Sequence, residues 1–128
     1  MRLLLIAFVL LLATSTSRAQ QTVKAAASGK PLMLYRAYNV NPNCSAEGAV
    51  TIKVLVPPQH GRVTVGTARI FPAYPPAHPR NHCNQRRVLG TQAFYTSQRG
   101  YAGRDHAVIE VIFPAGRYQR RSFGIVVR

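Results

Sequence analysis

Within six residues, His78-Pro79-Arg80-Asn81-His82-Cys83 offers two imidazoles and a sulfur, donors that suit a soft or borderline ion such as copper or zinc. Met33 and His60 are donors of the right type to complete such a site, and nothing in the sequence places either beside it. Two features oppose this reading. Arg80, Arg86 and Arg87 surround the donors with positive charge, and Cys83 is one of only two cysteines. In an oxidising compartment Cys44 and Cys83 most simply form one disulfide that closes a long loop. The disulfide is the expectation, and a periplasmic copper- or zinc-binding protein using His78, His82 and Cys83 is the alternative.

Hydrolytic chemistry needs a nucleophile, a base and an orienting group in convergent geometry. Ser28, Ser45, Ser97 and Ser122 sit in no nucleophile-elbow context. Asp105 and His106 are adjacent, so in a strand their side chains point to opposite faces. Paired carboxylates come only from Glu47, Asp105 and Glu110. A non-catalytic protein without a cofactor is expected.

The strongest chemical signal is cationic. Seventeen Lys and Arg stand against three acids, a formal net charge of +14, and only Lys24, Lys30 and Lys53 are lysines. Arg80, Arg86 and Arg87 lie beside Tyr74, His78 and His82 in a long loop, while Arg117, Tyr118, Arg120 and Arg121 make a second cluster in the turn before the last strand. Guanidinium forks match phosphate and carboxylate, and interleaved aromatics stack on sugars or bases. These residues are the candidate anion-binding set. The competing reading is compositional, with arginine usage following the genome and high charge merely aiding solubility. Whether the two clusters share a face is not legible in the sequence.

The partner class follows from the first nineteen residues. Met1-Arg2 is a positive start, Leu3 to Ala13 is an unbroken apolar run, and Ser17-Arg18-Ala19 supplies small residues at a cleavage site. That layout is a secretory signal peptide, cleaved after Ala19. The run is too short to span a hydrocarbon core of about 30 Å, and no cysteine follows it as in a bacterial lipoprotein. The product is expected to be periplasmic or secreted, without a transmembrane segment, and monomeric. Loss of Arg2 and Arg18 with the leader lowers its net charge from +14 to +12. The expected partner is an anionic cell-envelope polymer or an acidic protein surface, and nucleic acid is not expected as a natural partner there.

Removing 19 of 128 residues leaves 109, enough for one domain. Residues 20–31 read as a flexible lead-in or a weak edge strand. Leu32 to Val40 is a β-rich run stopped by Asn41-Pro42-Asn43. In Ala49 to Val56, the residues Val50, Ile52, Val54 and Val56 alternate onto one face. Arg62–Val65 and Arg69–Phe71 read as short strands, then four prolines make 72–87 a long irregular segment. Strand character resumes at Val88–Thr96, His106–Phe113 and Ser122–Val127. Six or seven short strands predict an all-β antiparallel sandwich over 32–128.

Two stretches carry a family resemblance. Pro58-Gln59-His60-Gly61-Arg62-Val63-Thr64-Val65 resembles the P-x-H/N-G-x-V-x-V signature of bacterial Ig-like and cadherin-like repeats. Phe94-Tyr95-Thr96, Gly100-Tyr101-Ala102-Gly103-Arg104-Asp105 and His106 to Phe113 then follow in the repeats' order, so the likeness spans about Val50 to Val127. It implies a sandwich with no shared catalytic activity. It further implies positive φ at Gly61 and Gly103, a Tyr101 hydroxyl latch, and an Asp105 that satisfies turn amides. Such repeats usually stand in tandem, whereas this chain carries one copy with an extra Pro/His/Cys segment. Calcium is not carried over, because three acids are too few for such a site.

Overall fold

A computed structural model describes residues 21–128; the expected signal peptide and its cleavage point lie outside the described residues. Seven strands form: β1 (Gln21–Ala26), β2 (Leu32–Ala37), β3 (Thr51–Val56), β4 (Gly61–Ile70), β5 (Val88–Ser97), β6 (Gly103–Ile112) and β7 (Tyr118–Val127). They build two sheets, ordered β1-β7-β6-β3 and β2-β5-β4. Neighbours are antiparallel except β1 and β7, which run parallel from Gln21↔Ser122 to Ala26↔Val127. Strands two, five and four against three, six and seven is the partition of an immunoglobulin-type sandwich, with the first strand joined to the second group. The expected all-β sandwich is the observed fold.

Several local expectations change. β6 begins at Gly103 rather than His106, and β7 begins at Tyr118 rather than Ser122, which puts Tyr118, Arg120 and Arg121 on a strand instead of in the turn before it. Residues 21–26 take the edge-strand form and bury Ala26, so the sandwich begins before residue 32. The runs expected at 62–65 and 69–71 merge into the single ten-residue β4, since every residue from Gly61 to Ile70 has a partner on β5. In β3 the burial pattern does not carry through: Val54 keeps its register with Ile109, and a bulge between Val54 and Val56 shifts the register beyond it. Val50 and Ile52 stay buried, whereas Val54 and Val56 are 37% and 44% exposed. Gly61 does not have positive φ. It is required for space, because a Cβ there would lie 2.5 Å from the Thr96 carbonyl oxygen and 2.8 Å from the Tyr95 ring. Gly103 does adopt positive φ, at 141°.

The inward residues of both sheets make one core, in which Ala93, Tyr95, Ala107, Ile109 and Val111 are fully buried. The core contains one carboxylate, Asp105, and saturates it with donors. Oδ1 accepts from the Gln59 amide at 3.0 Å and the His106 amide at 2.9 Å. Oδ2 accepts from the His60 amide at 3.0 Å and the Tyr95 hydroxyl at 2.7 Å. The turn amides satisfied are thus those between β3 and β4, and the phenol comes from the opposite sheet. The Tyr101 hydroxyl closes the adjoining turn by donating to the Arg104 carbonyl at 2.6 Å, and the His60 ring stacks on Tyr101 at 4.1 Å.

Burial opposes ionisation of Asp105, but the Tyr95 hydroxyl and the three amides outweigh it and hold the carboxyl below its ordinary value. Burial, and then the bond to Asp105, push the Tyr95 phenol well above its ordinary value. A carboxyl with a lower pKa folded than unfolded contributes stability above the unfolded value, near 3.9, that is lost as pH falls through the folded value. Thermal unfolding should therefore move down as pH falls below about 4, and Asp105→Asn should flatten that dependence. The same substitution should cost about 2–3 kcal/mol at neutral pH in urea unfolding, because buried donors lose a charged acceptor.

Candidate functional site

Antiparallel pairing sends the β2–β3, β4–β5 and β6–β7 connections to one pole of the sandwich. Ala37 pairs with Thr91, Ile70 with Val88, and Ile112 with both Thr51 and Tyr118. Thr91 Oγ1 donates to the Val50 carbonyl at 2.5 Å and ties the two sheets at this end.

The Cys44–Cys83 disulfide links the first two connections across 39 residues, with its Cα atoms 5.3 Å apart. Cys44 follows the Asn41-Pro42-Asn43 turn in the left-handed region, at φ 68°. Its amide donates to the Asn41 carbonyl at 2.8 Å, and Ser45 Oγ donates to Asn43 Oδ1 at 2.6 Å. Prolines keep residues 72–80 out of a ladder, and Asn81–Gln85 makes one 3-10 turn that delivers Cys83, fully buried, to the bond. Val40, Cys44, Cys83 and Val88 form a small second core with Tyr38 and Tyr74 against it. The segment's own side chains complete it. Asn84 Oδ1 accepts from the Tyr74 amide, Asn81 and Asn84 donate to the Tyr74 carbonyl, and the Tyr38 hydroxyl accepts from the Ala73 amide.

On this platform Arg80 and Arg117, one from each sequence cluster, line a single cleft with Tyr38, Tyr74, His78 and Glu47. Tyr74 meets Tyr38 edge-on at 5.2 Å, and the His78 ring stacks on Tyr74 at 4.4 Å. Burial first, then the neighbouring Tyr38, raises the Tyr74 phenol above its ordinary value, so it stays neutral. Arg80 Nε donates to the Val40 carbonyl at 3.3 Å, and the Arg117 guanidinium lies 4.5 Å over Phe113. Both charges are positioned by neighbours. Glu47 Oε2 accepts from Asn39 Nδ2 at 2.9 Å, placing one carboxylate at the rim.

The remaining candidates stand outside the lining of this cleft. Arg86 and His82 line a neighbouring cleft beside Cys44 and Pro42. Arg87 lies 5.2 Å over Phe71. Arg120 stands opposite Glu110 on β7, and Arg121 packs 5.4 Å over Tyr35 and donates to Gln119 Oε1. Tyr118 is 65% exposed. The structure therefore unites Arg80, Arg117, Tyr74 and His78, and leaves Arg120 and Arg121 along a strand.

The metal alternative meets a different arrangement from the one expected. Sulfur and nitrogen atoms of Cys44, His82 and Cys83 lie within 4.8 Å of one another, a group that does not include His78. Both sulfurs are bonded to each other, so neither is a thiolate ligand in this state. His82 Nε2 donates to the Pro42 carbonyl at 2.9 Å, and His78 Nδ1 accepts from the Arg80 amide at 3.0 Å. Tyr38, Asn39 and Phe113 are cleft residues that sequence reasoning does not single out, and their only prior signal is position just past a strand's end. Glu47 stands out in the sequence only as one of three acids.

No family model matches the chain, and no curated protein matches it. Among solved structures, the solution structure of Amebosin is similar over 84% of this chain and 89% of that chain, at 11% identity and a TM-score of 0.45.

If the disulfide organises this pole, denatured but unreduced protein should contain no titratable thiol. The Cys44→Ser, Cys83→Ser variant should lose about 4 kcal/mol of stability in denaturant unfolding, the loop-closure value for this separation.

Proposed function

We propose that this protein is an exported, non-catalytic Ig-like module whose loop pole binds an anionic polymer of the cell envelope. An acidic protein surface is the related ligand of the same chemistry. The observation that carries the reading is that Arg80 and Arg117, far apart in sequence, line one cleft together with Tyr74 and His78. Guanidinium groups held over rings and carbonyls present fixed donors to phosphate or carboxylate, and the aromatic faces accept sugar rings. In immunoglobulin-type sandwiches the loops clustered at one end carry recognition, and the pole described above is such an end. Export rests on the leader-like first nineteen residues. The disulfide agrees with it, and no helix among the described residues is long and apolar enough to cross a membrane. The single domain fits the Ig-like or cadherin-like repeat type suggested by its turn motifs.

The test is binding of the oxidised protein to envelope lipids, acidic polysaccharides and DNA at about 50 and 200 mM salt, since generic charge contacts weaken steeply over that range. One envelope polymer should retain binding at the higher salt. Arg80→Ala with Arg117→Ala should weaken it about tenfold, as expected for two charge-assisted contacts, whereas Arg99→Ala with Arg128→Ala should not. Equal weakening by both pairs, or equal salt loss for every anion, would reduce the arginines to generic charge.

A further inference from the structure

The two sheets have four outer edges, and three of them are short or broken. β1 has six residues, β2 has six with a register shift between Met33 and Tyr35, and β3 has six with a shift between Val54 and Val56. Short and bulged edges resist further pairing. β4 is the exception. It runs ten residues in unbroken register with β5, pairs among the described residues only with β5, and holds neither proline nor lysine.

Its free edge can be resolved into residues. The Gln98 amide donates to the His60 carbonyl at 2.8 Å, and these two residues continue the Gly61↔Ser97 register. Hydrogen-bonded pairs alternate along an antiparallel ladder, so Arg62, Thr64, Gly66 and Ala68 point their amides and carbonyls at β5. Val63, Val65, Thr67 and Arg69 point theirs outward. At the middle of the edge, Val65 is 42% exposed and a Cβ on Gly66 would meet nothing within 4 Å. Glycine inside a strand is typical where another backbone approaches closely.

Charge selects the occupant. Arg62 and Arg69 are exposed near the two ends of β4, Lys53 is exposed on β3, and no acid occurs between Glu47 and Asp105. A second copy docked antiparallel on β4 would bring two highly cationic edges together with no acid on either to offset them. We propose that the outer edge of β4 is a strand-docking site for an extended acidic segment of a partner protein. The segment adds a fourth strand to the β2-β5-β4 sheet through main-chain hydrogen bonds. Its acidic residues stand about seven positions apart, a span of roughly 24 Å in a strand, and meet Arg62 and Arg69. Between them, β-branched residues cover Val65. This site is separate from the loop pole and does not depend on its reading.

The probe is the peptide Glu-Thr-Val-Thr-Val-Thr-Val-Glu, compared with a version carrying lysine at both ends and one carrying a central proline. The acidic peptide should bind the oxidised protein and the other two should not. On binding, amide exchange should slow at Val63, Val65, Thr67 and Arg69. Thr67→Pro removes an outward amide without removing a bond to β5, so it should weaken binding at least about tenfold while leaving the unfolding temperature in place. Absence of binding, undiminished binding to Thr67→Pro, or protection confined to the loop pole would overturn the proposal. So would self-association without peptide that Thr67→Pro abolishes, which would make a second copy the occupant.

Discussion

The buried Asp105 carboxylate is the interaction on which the rest of the sandwich depends. It is one of three acids in a chain of seventeen Lys and Arg, yet it faces inward and takes four hydrogen bonds rather than a guanidinium. Those bonds join the β3–β4 turn, β5 and β6, and so lock the two sheets together at one pole. Without an acceptor there, the buried Tyr95 hydroxyl would be unpaired in the core, at about 1–3 kcal/mol, and the amides of Gln59 and His60 would lose the partner that fixes the turn. With it, the turn is fixed and β4 leaves it in a defined register.

The opposite pole solves its problem differently. Two long connections and one short one meet there with too few apolar residues to pack by themselves, and the Cys44–Cys83 bond joins the two long ones. Around the bond, Asn81 and Asn84 complete the backbone of Tyr74, and Tyr38 completes that of Ala73. A proline-rich segment that cannot join a ladder thus becomes a rigid platform. Rigidity matters for recognition, because side chains already held in place lose less entropy on binding. A polar hub at one end and a covalent tie at the other leave the arginines of the loops positioned but uncommitted to acids.

The fold was legible wherever alternation met turn residues. β6 and β7 follow their patterns, with Ala107, Ile109 and Val111 inside and Glu110 outside. Pattern failed at Val56, because a bulge changes which face a residue takes and leaves no mark in the run AVTIKVLV. Asp105 was legible as a residue that satisfies turn amides, but two of its partners lie 45 and 46 residues away, beyond the reach of local spacing. The disulfide was legible from two cysteines behind a leader-like N-terminus. That Arg80 and Arg117 line one cleft was not, since it depends on how two loops pack across the sheet ends. The places of Glu47 and Tyr38 in the cleft were invisible for the same reason.

The central claim is that the loop pole is the recognising end of the molecule. The most direct measurement is an amide and side-chain NMR map of the oxidised protein titrated with an acidic envelope polysaccharide at about 200 mM salt, where diffuse charge attraction is largely suppressed. The account predicts shifts concentrated at Tyr74, His78, Arg80 and Arg117, with Arg99 and Arg104 unmoved. Shifts of similar size on arginines at both poles, or shifts concentrated at Arg99 and Arg104, would contradict it.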